Sequence, residues 1–372
     1  MQNAAIPRGR PAALLLLAGV AFVGWSACGG SVSARSHAGQ DGGVDANEPD
    51  SGCAADSGSP PPSCASGAPG TANCGECSES CCTSLEVSPG TYFRTYTNSG
   101  SGPTGETDPA NVSAFRLDKY LVTVGRFRAF VGAWTGGWLP APGSGVHSYL
   151  NGGLGLTSVS DDAGSGHETG WVTADNGNIG PTSTNLGSCA PYSSWTTMAS
   201  TQENLPINCV NWWEAYAFCI WDGGFLPSDT EGEYAAAGGT QQREYPWGST
   251  APGESNQYAI YGSDSSTCHY PAGALAACTG VANIAPVGTA TLGAGLWGQL
   301  DLAGESFEWD LDWYAPFVDP CTDCAYLAAT SGRVLRGGDF LYGTPYMLPP
   351  YRYGSPPNGR FVDVGFRCAR VP

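Results

Sequence analysis

The sequence has few basic residues and few histidines. Its 372 residues include 15 Lys and Arg against 33 Asp and Glu, which gives a formal net charge of −18. This balance excludes nucleic-acid binding, because contacts with phosphates require clustered Lys and Arg. The four histidines, His37, His147, His167 and His269, lie far apart and form no zinc-ligand spacing. The acidic surface favours solubility and is also compatible with calcium.

Long hydrophobic runs are absent except near the N-terminus. Residues 12–24 form an apolar run that follows two arginines and is too short to cross a bilayer comfortably. The next residues, WSAC, resemble a bacterial lipoprotein cleavage box in which Trp25 replaces the usual leucine. We therefore predict a signal peptide over residues 1–27, followed either by lipidation of Cys28 or by ordinary cleavage after Ala27.

Cysteine, by contrast, is abundant. Fifteen cysteines beside four histidines are typical of a disulfide-bonded protein in an oxidising compartment, outside the cytoplasm. Without Cys28, 14 of the 15 cysteines remain, an even number that can pair fully in disulfides. We expect an exported lipoprotein of the cell envelope, on the outer membrane or surface, whose lipid is its one attachment to the membrane. The alternative is a secreted protein.

Residues 28–84 carry hardly any large apolar side chain, which predicts a disordered tether rich in Gly, Ser, Pro and Cys. Six cysteines in this segment are interpreted as a small disulfide knot: Cys53, Cys64, Cys74, Cys77, Cys81 and Cys82. A metal knuckle at Cys74-x-x-Cys77 is the alternative, but it lacks a partner pair at zinc spacing. One globular domain is predicted over residues 85–372.

Periodicity and capping residues predict the elements of this domain. Residues 85–98 read as strand, turn and strand, and residues 112–120 as a half-buried strand. Thr123, Asn211 and Ser228 are each expected to begin a helix, the last with a capping box.

A long stretch poor in regular structure, residues 134–203, is expected to be packed by its tryptophans. These are Trp134, Trp138, Trp171 and Trp195. Proximity in the sequence suggests three disulfides, namely Cys189–Cys209, Cys268–Cys278 and Cys321–Cys324. Cys321-x-x-Cys324 would be redox-active in the alternative interpretation.

Nine motifs together resemble the formylglycine-generating enzyme, or sulfatase-modifying factor, domain family. In order they are PGTYFR, LDKYLVTVGRFRAF, PINCVNWWEAYAFCIWDGG, LPSDTEGEYAAAGG, YPWG, APVGT, LAGESFEWDLDWY, RVLRGG and GFRCAR. The resemblance implies an α+β fold, a loop-rich variant of the C-type lectin fold with short twisted antiparallel sheets and a few helices. It also implies a structural disulfide between Cys219 and Cys368.

The family's well-known members oxidise a peptide cysteine to formylglycine, using copper that two thiolates hold. Thiolate sulfur suits Cu(I) because the ligand and the metal ion are both soft. Counting forward from Gly338, the two cysteine positions fall on Tyr342 and Met347. No cysteine lies between Cys324 and Cys368. We therefore do not expect copper-dependent formylglycine generation, and we assign no catalytic residue.

Other positions depart from the family pattern as well. Phe225 replaces a basic residue, Gly232 replaces an aromatic residue, and Leu121 replaces a glutamate. The sequence ESFEW stands where the family has NVWEW. These changes indicate a retained scaffold with an altered function.

The resemblance also implies a structural calcium site. Glu308 corresponds to a glutamate that binds calcium together with upstream backbone carbonyls. Here those carbonyls belong to Ala303, Gly304 and Ser306, and hard oxygen donors of this kind suit calcium. In the alternative interpretation, Glu308 only accepts hydrogen bonds within a buried turn.

Arg352 and Arg360 fall in the segment that lines the peptide groove of the resembled enzymes. They would bind a ligand carboxylate or main chain, or else satisfy carbonyls of the chain itself. We predict a non-catalytic module that binds a peptide, protein or glycan at the cell envelope. The alternatives are a sulfatase-modifying or other protein-oxidising enzyme, and a structural component of the envelope.

Overall fold

The computed structural model describes residues 60–75, 78–160 and 166–372. The predicted signal peptide, Cys28, Cys53 and Cys77 lie outside the described residues. The described part contains four α-helices: α1 Val124–Thr135, α2 Ser183–Leu186, α3 Trp212–Trp221 and α4 Asp229–Ala237. It also contains short 3-10 helices at Pro62–Cys64, Asn151–Gly153, Thr173–Asn178, Gly239–Gln241, Val281–Asn283, Thr291–Gly293 and Thr344–Met347. No helix in the described ranges is long and apolar enough to cross a membrane.

The strands are short and form five small sheets within the described residues. In chain order they are β1 Ser84–Val87, β2 Gly90–Thr97, β3 Thr104–Val112, β4 Phe115–Asp118, β5 Thr157–Val159, β6 Gly166–His167, β7 Gly262–Asp264, β8 Thr267–Cys268, β9 Ala276–Ala277, β10 Phe307–Trp313, β11 Cys321–Thr322, β12 Cys324–Tyr326, β13 Arg333–Arg336, β14 Arg352–Ser355, β15 Val364–Gly365 and β16 Ala369–Arg370.

The sheet orders are β1-β4-β16, β14-β13-β10-β15, β11-β3-β2, β12-β5-β6 and β7-β8-β9. Three pairs are parallel, namely β10 with β15, β11 with β3 and β12 with β5. The expected antiparallel pairing is confirmed for the other neighbours. Small mixed sheets, few helices and long loops agree with the fold that the motifs imply.

The predicted helix starts are confirmed. The Thr123 side chain accepts a hydrogen bond from the backbone N–H of Arg126, and this begins α1. Asn211 and Ser228 both form capping boxes, with Glu214 and Glu231 respectively. Each box satisfies backbone donors that the first helical turn leaves free.

Aromatic side chains of α1 and α3 form the centre of the largest core. The Phe127 ring lies 5.8 Å from Phe218, and Phe218 lies 5.3 Å from Phe366, just before the closing strand β16. Helix α3 has buried residues around most of its circumference. Helix α3 therefore contacts the core on several faces rather than along one apolar stripe.

The loop-rich stretch 134–203 is packed as expected wherever it is described. Trp171 and Trp195 are buried, and Trp134 and Trp138 pack against the main core. Aromatic burial therefore replaces regular hydrogen-bonded structure in this region.

The described part of the predicted tether, residues 60–75 and 78–84, is not disordered. Arg126 on α1 donates a hydrogen bond from Nε to Ser63 Oγ at 3.1 Å. A Cβ atom on Gly125 would lie 2.0 Å from the Pro69 carbonyl oxygen, so the segment rests directly on the helix. Polar contacts and disulfides stabilise these residues in place of the apolar burial that the composition cannot supply.

Six disulfides join the described cysteines. They are Cys64–Cys82, Cys74–Cys81, Cys189–Cys209, Cys219–Cys368, Cys268–Cys278 and Cys321–Cys324. The four pairs predicted within the domain are confirmed. Several disulfides together indicate a non-cytoplasmic protein.

Candidate functional site

A group of tyrosines includes Tyr342, one of the two positions that the count from Gly338 assigns to copper ligands in the resembled enzymes. We call Tyr314, Tyr342, Tyr346, Tyr351 and Tyr353 the tyrosine surface. The Tyr346 ring lies 5.2 Å from Tyr342 and 5.0 Å from Tyr351. Tyr353 is 55% exposed and Tyr314 is 43% exposed, which is high for residues of this size. Large aromatic faces with polar hydroxyls are typical of ligand-binding surfaces.

The two counted copper positions differ in their surroundings. Tyr342 is partly exposed in the tyrosine surface, whereas Met347 is only 1% exposed and packs in a cluster with Tyr245 and Tyr261. The backbone turns sharply just before them, where Gly338 has a φ of 70°. Since Met347 is enclosed by apolar side chains, its thioether acts as core packing in this structure.

Two carboxyl groups, Asp339 and Asp363, interact in the segment that carries these positions. Asp339 is fully buried, and its Oδ1 accepts a hydrogen bond from the backbone N–H of Tyr342 at 3.1 Å. Its Oδ2 has no hydrogen-bond partner among the described residues. Burial raises the pKa of Asp339 well above its usual range, and the nearby Asp363 carboxyl raises it further. Burial and the neighbouring carboxyl therefore both favour the protonated form of Asp339.

An ionic network fixes β13 against helix α4. Arg336 pairs with Asp229 and, at 2.8 Å, with Glu233. Burial raises the pKa of Glu233 to about 8, against the opposing effect of Arg336. Asp310 lies 3.7 Å from the Arg336 guanidinium, and burial raises its pKa well above the usual range, with Asp229 adding to the effect. Burial therefore favours the protonated forms of Glu233 and Asp310. The pKa of Asp229, by contrast, is lowered by Arg336 and Arg352, although burial raises it.

Arg352 and Arg360 are both engaged within the chain. Arg352 pairs with Asp229 at 2.6 Å and lies 4.9 Å from the Tyr314 ring centroid, at the edge of the tyrosine surface. Arg360 donates to Glu214 on α3 and to the Cys209 carbonyl at 2.8 Å. Arg352 therefore pairs with helix α4, and Arg360 pairs with helix α3. These contacts match the interpretation in which arginines satisfy groups of the chain, and ligand binding by either one stays a prediction.

The predicted calcium donors surround a carboxylate that already has a partner. Both oxygens of Glu308 accept hydrogen bonds from Arg367, at 2.6 and 2.9 Å. The Gly304 carbonyl accepts from the backbone N–H of Ser306 at 2.9 Å. Burial raises the pKa of Glu308, whereas Arg367 opposes this. In this arrangement a calcium ion at Glu308 would compete with Arg367 for the carboxylate. Coordination through Ala303, Gly304, Ser306 and Glu308 stays a prediction.

A buried histidine between two glutamates was not predicted from the sequence. His147 Nδ1 lies 3.0 Å from both oxygens of Glu168, and Nε2 lies 3.0 Å from Glu231 on α4. Burial alone would lower the pKa of His147, but Glu231 and Glu168 raise it to about 10. The imidazole ring lies 3.9 Å from Phe225, the position that lacks the family's basic residue. The replacement at Phe225 was the one available signal.

None of the described cysteines has a free thiol that could bind copper. The six disulfides use all twelve described cysteines. The described part of the chain also holds no group of three His, Cys, Asp or Glu side chains arranged for a metal ion. Aromatic contact, hydrogen bonding and charge pairing are what the tyrosine surface and its neighbours offer a ligand.

Together, the fold and the site define a disulfide-bonded, loop-rich α+β domain of the C-type-lectin-like class. The model of the sulfatase-modifying factor enzyme 1-like domain matches residues 73–372, and the chain belongs to this family. The solved structure of PvdO from Pseudomonas aeruginosa has the same fold, with a TM-score of 0.50 and 17% identity. The match covers 82% of this chain and 99% of PvdO.

Curated relatives carry the family's enzyme name. The formylglycine-generating enzyme of Thermomonospora curvata is 28% identical over 299 residues, which cover 73% of this chain and 86% of the relative. The Streptomyces coelicolor enzyme is 34% identical, with 45% of this chain and 52% of the relative covered. The mouse inactive C-alpha-formylglycine-generating enzyme 2 is 30% identical, covering 44% and 49%. The chain thus spans about half the length of the last two relatives.

Proposed function

We propose that this protein is an exported, non-catalytic ligand-binding module built on the formylglycine-generating enzyme scaffold. The proposal is carried by the lack of any cysteine between Cys324 and Cys368 and by the count from Gly338, which assigns the two copper positions to Tyr342 and Met347; Met347 is also buried. The pairing of every described cysteine in a disulfide also supports it, because no described thiol remains to replace those ligands.

The ligand would bind at the tyrosine surface as a peptide, protein or glycan. Exposed tyrosines supply large rigid contact areas at a low cost in side-chain entropy, and their hydroxyls form hydrogen bonds at the rim. Arg352 lies beside Tyr314 at the edge of this surface. Its side chain is 13% exposed and pairs with Asp229, so a ligand would contact its exposed part.

Copper binding and thiol-peptide turnover test this proposal together. Cu(I) is titrated into the protein in competition with a chromophoric chelator, using Cys28→Ser to remove a thiol outside the domain. Oxygen uptake is then followed with a cysteine-containing peptide. We expect no tight Cu(I) binding and no uptake above background, because a single buried thioether does not replace two thiolates.

The Thermomonospora curvata enzyme serves as the positive control in both assays. Tight Cu(I) binding together with oxygen uptake and conversion of the peptide would overturn the proposal. That outcome would establish the alternative, a protein-oxidising enzyme with unusual metal ligands.

We further propose that the module is held at the envelope by a lipid on Cys28. The support is the WSAC sequence directly after the apolar run. Labelled palmitate should enter the natural protein and place it in the membrane fraction, whereas Cys28→Ser should carry no label and leave that fraction. Equal membrane association of both proteins without label would instead contradict lipidation.

A further inference from the structure

A cleft of about 240 Å³ lies beside the segment that contains the copper positions. One wall is the end of β2, with Tyr96 and Thr97. The other wall includes Leu348 and Tyr351, together with two prolines. Glu244 also lines the cleft and supplies its single charge among the described residues. The cleft therefore combines apolar walls with one carboxylate.

The carboxylate of Glu244 has no ion pair or hydrogen bond with any described residue, in contrast to Asn98 and Tyr96 in the same cleft. Asn98 Nδ2 donates to the Gln242 carbonyl at 2.8 Å, and Asn98 Oδ1 accepts from Gly100 N at 2.9 Å. The Tyr96 hydroxyl donates to the Arg243 carbonyl at 2.8 Å. The hydroxyls of Thr97 and Tyr351 also line the cleft, so what distinguishes Glu244 is that it is the charged group available to a ligand.

The apolar walls and the single carboxylate of the cleft favour one class of ligand over others. A sugar needs several donors and acceptors, and the amide of Asn98 and hydroxyl of Tyr96 are already used within the chain. An anion would be repelled by Glu244. A cationic side chain fits both features, because its aliphatic stem packs on Leu348 and the Tyr351 ring while its head pairs with the carboxylate. The formal charge of −18 would also steer a cationic partner towards the protein.

We propose that this cleft binds a lysine or arginine side chain of a peptide or protein partner. The inference rests on the proposed non-catalytic binding function and names the chemistry of its ligand. Glu244 is the group that determines specificity, and the wall formed by Leu348 and Tyr351 provides the apolar contact.

Selection from a phage-displayed random peptide library tests the proposal on the folded, disulfide-bonded protein. We expect recovered peptides to be enriched in Lys and Arg relative to the unselected library. Replacing the basic residue of a recovered peptide by norleucine should weaken binding about fivefold or more, because the charge pair is lost while the stem remains. Binding should also weaken as ionic strength rises.

Three protein variants test whether the basic peptide binds in this cleft. Glu244→Gln should weaken binding of the basic peptide by about the same factor, and it should not affect the norleucine peptide, since the two changes remove one interaction. Glu86→Gln is the matched control, because it removes an equal charge from an exposed position on β1. Thr97→Trp, at an exposed position of β2, keeps the charge but fills the cleft and should abolish binding.

Several outcomes would overturn the inference. These are recovery of peptides without basic enrichment, failure to recover any peptide, equal losses in Glu244→Gln and Glu86→Gln, and a glycan array showing sugar binding that Thr97→Trp blocks. Each leaves the non-catalytic proposal standing. Copper-dependent turnover would overturn that proposal instead, so the two failures are distinguishable.

Discussion

Replacing His147 by glutamine removes the positive charge between two buried glutamates. The side chain of His147 is fully buried, and those of Glu168 and Glu231 are 3% and 4% exposed. Each pKa unit corresponds to about 1.4 kcal/mol, so a rise from 6.5 to about 10 corresponds to about 5 kcal/mol. Proton uptake by the carboxylates would offset part of this. We therefore expect His147→Gln to lower the free energy of unfolding by about 3–5 kcal/mol near neutral pH.

The pH dependence of this loss follows from the direction of the pKa change. The pKa of His147 is higher in the folded protein than in the unfolded chain, so the folded state binds more protons between the two values. The stabilisation is complete below about pH 6.5 and is lost as pH rises through about 10. The difference between the natural protein and His147→Gln should therefore shrink over this interval.

Urea unfolding followed by tryptophan fluorescence, with the disulfides intact, measures this difference at a series of pH values. Comparing two proteins at each pH cancels the titration of other groups, such as Glu233. His167→Gln is the matched control, because His167 is exposed on β6. If both variants unfold at the same urea concentration, or if the difference does not change up to about pH 10, a protonated His147 between two carboxylates is refuted.

Two further predictions concern packing and calcium. Gly125→Ala should destabilise the protein by about 1–3 kcal/mol, because its Cβ would meet the Pro69 carbonyl. Gly132→Ala on the same helix meets no atom within 4 Å and should stabilise by about 0.5–1 kcal/mol; thermal unfolding checks both, and equal effects would contradict the described contact. About 1 mM calcium should leave the melting temperature unchanged relative to EGTA, because Arg367 holds Glu308. A rise with calcium, absent in Glu308→Gln, would show that the ion displaces Arg367.

Local rules predicted three of the four described α-helices, and they missed α2. Thr123, Asn211 and Ser228 begin helices because capping depends on residues a few positions apart, which the sequence shows directly. Strand partners were harder to predict, because β1 and β2 follow one another but pair with β4 and β3 respectively. That choice depends on long-range contacts that no local pattern records.

The candidate site, like the fold, was predictable from the sequence only where local residues decide it. That no cysteine lies between Cys324 and Cys368 was visible in the sequence, because residue identity alone shows it. The assignment of the copper positions to Tyr342 and Met347 stays a prediction. The pairing of His147 with Glu231 joins positions 84 residues apart and was not visible in either local segment. The order of residues 60–75 and 78–84 was likewise hidden, because it depends on Arg126 and Gly125 of α1. Composition described what this segment lacks but not what it contacts.

The position of β4 in its sheet has a consequence for how this protein reaches its native state. β4 lies between β1 and β16, and Leu117 pairs with Ala369, about 250 residues later. During synthesis, α1 and α3 therefore emerge long before Phe366 can pack against Phe127 and Phe218. Until then, these aromatic faces stay open to water and to other chains. Covering these faces therefore waits for the residues around Phe366, and until those are made the open surface promotes aggregation.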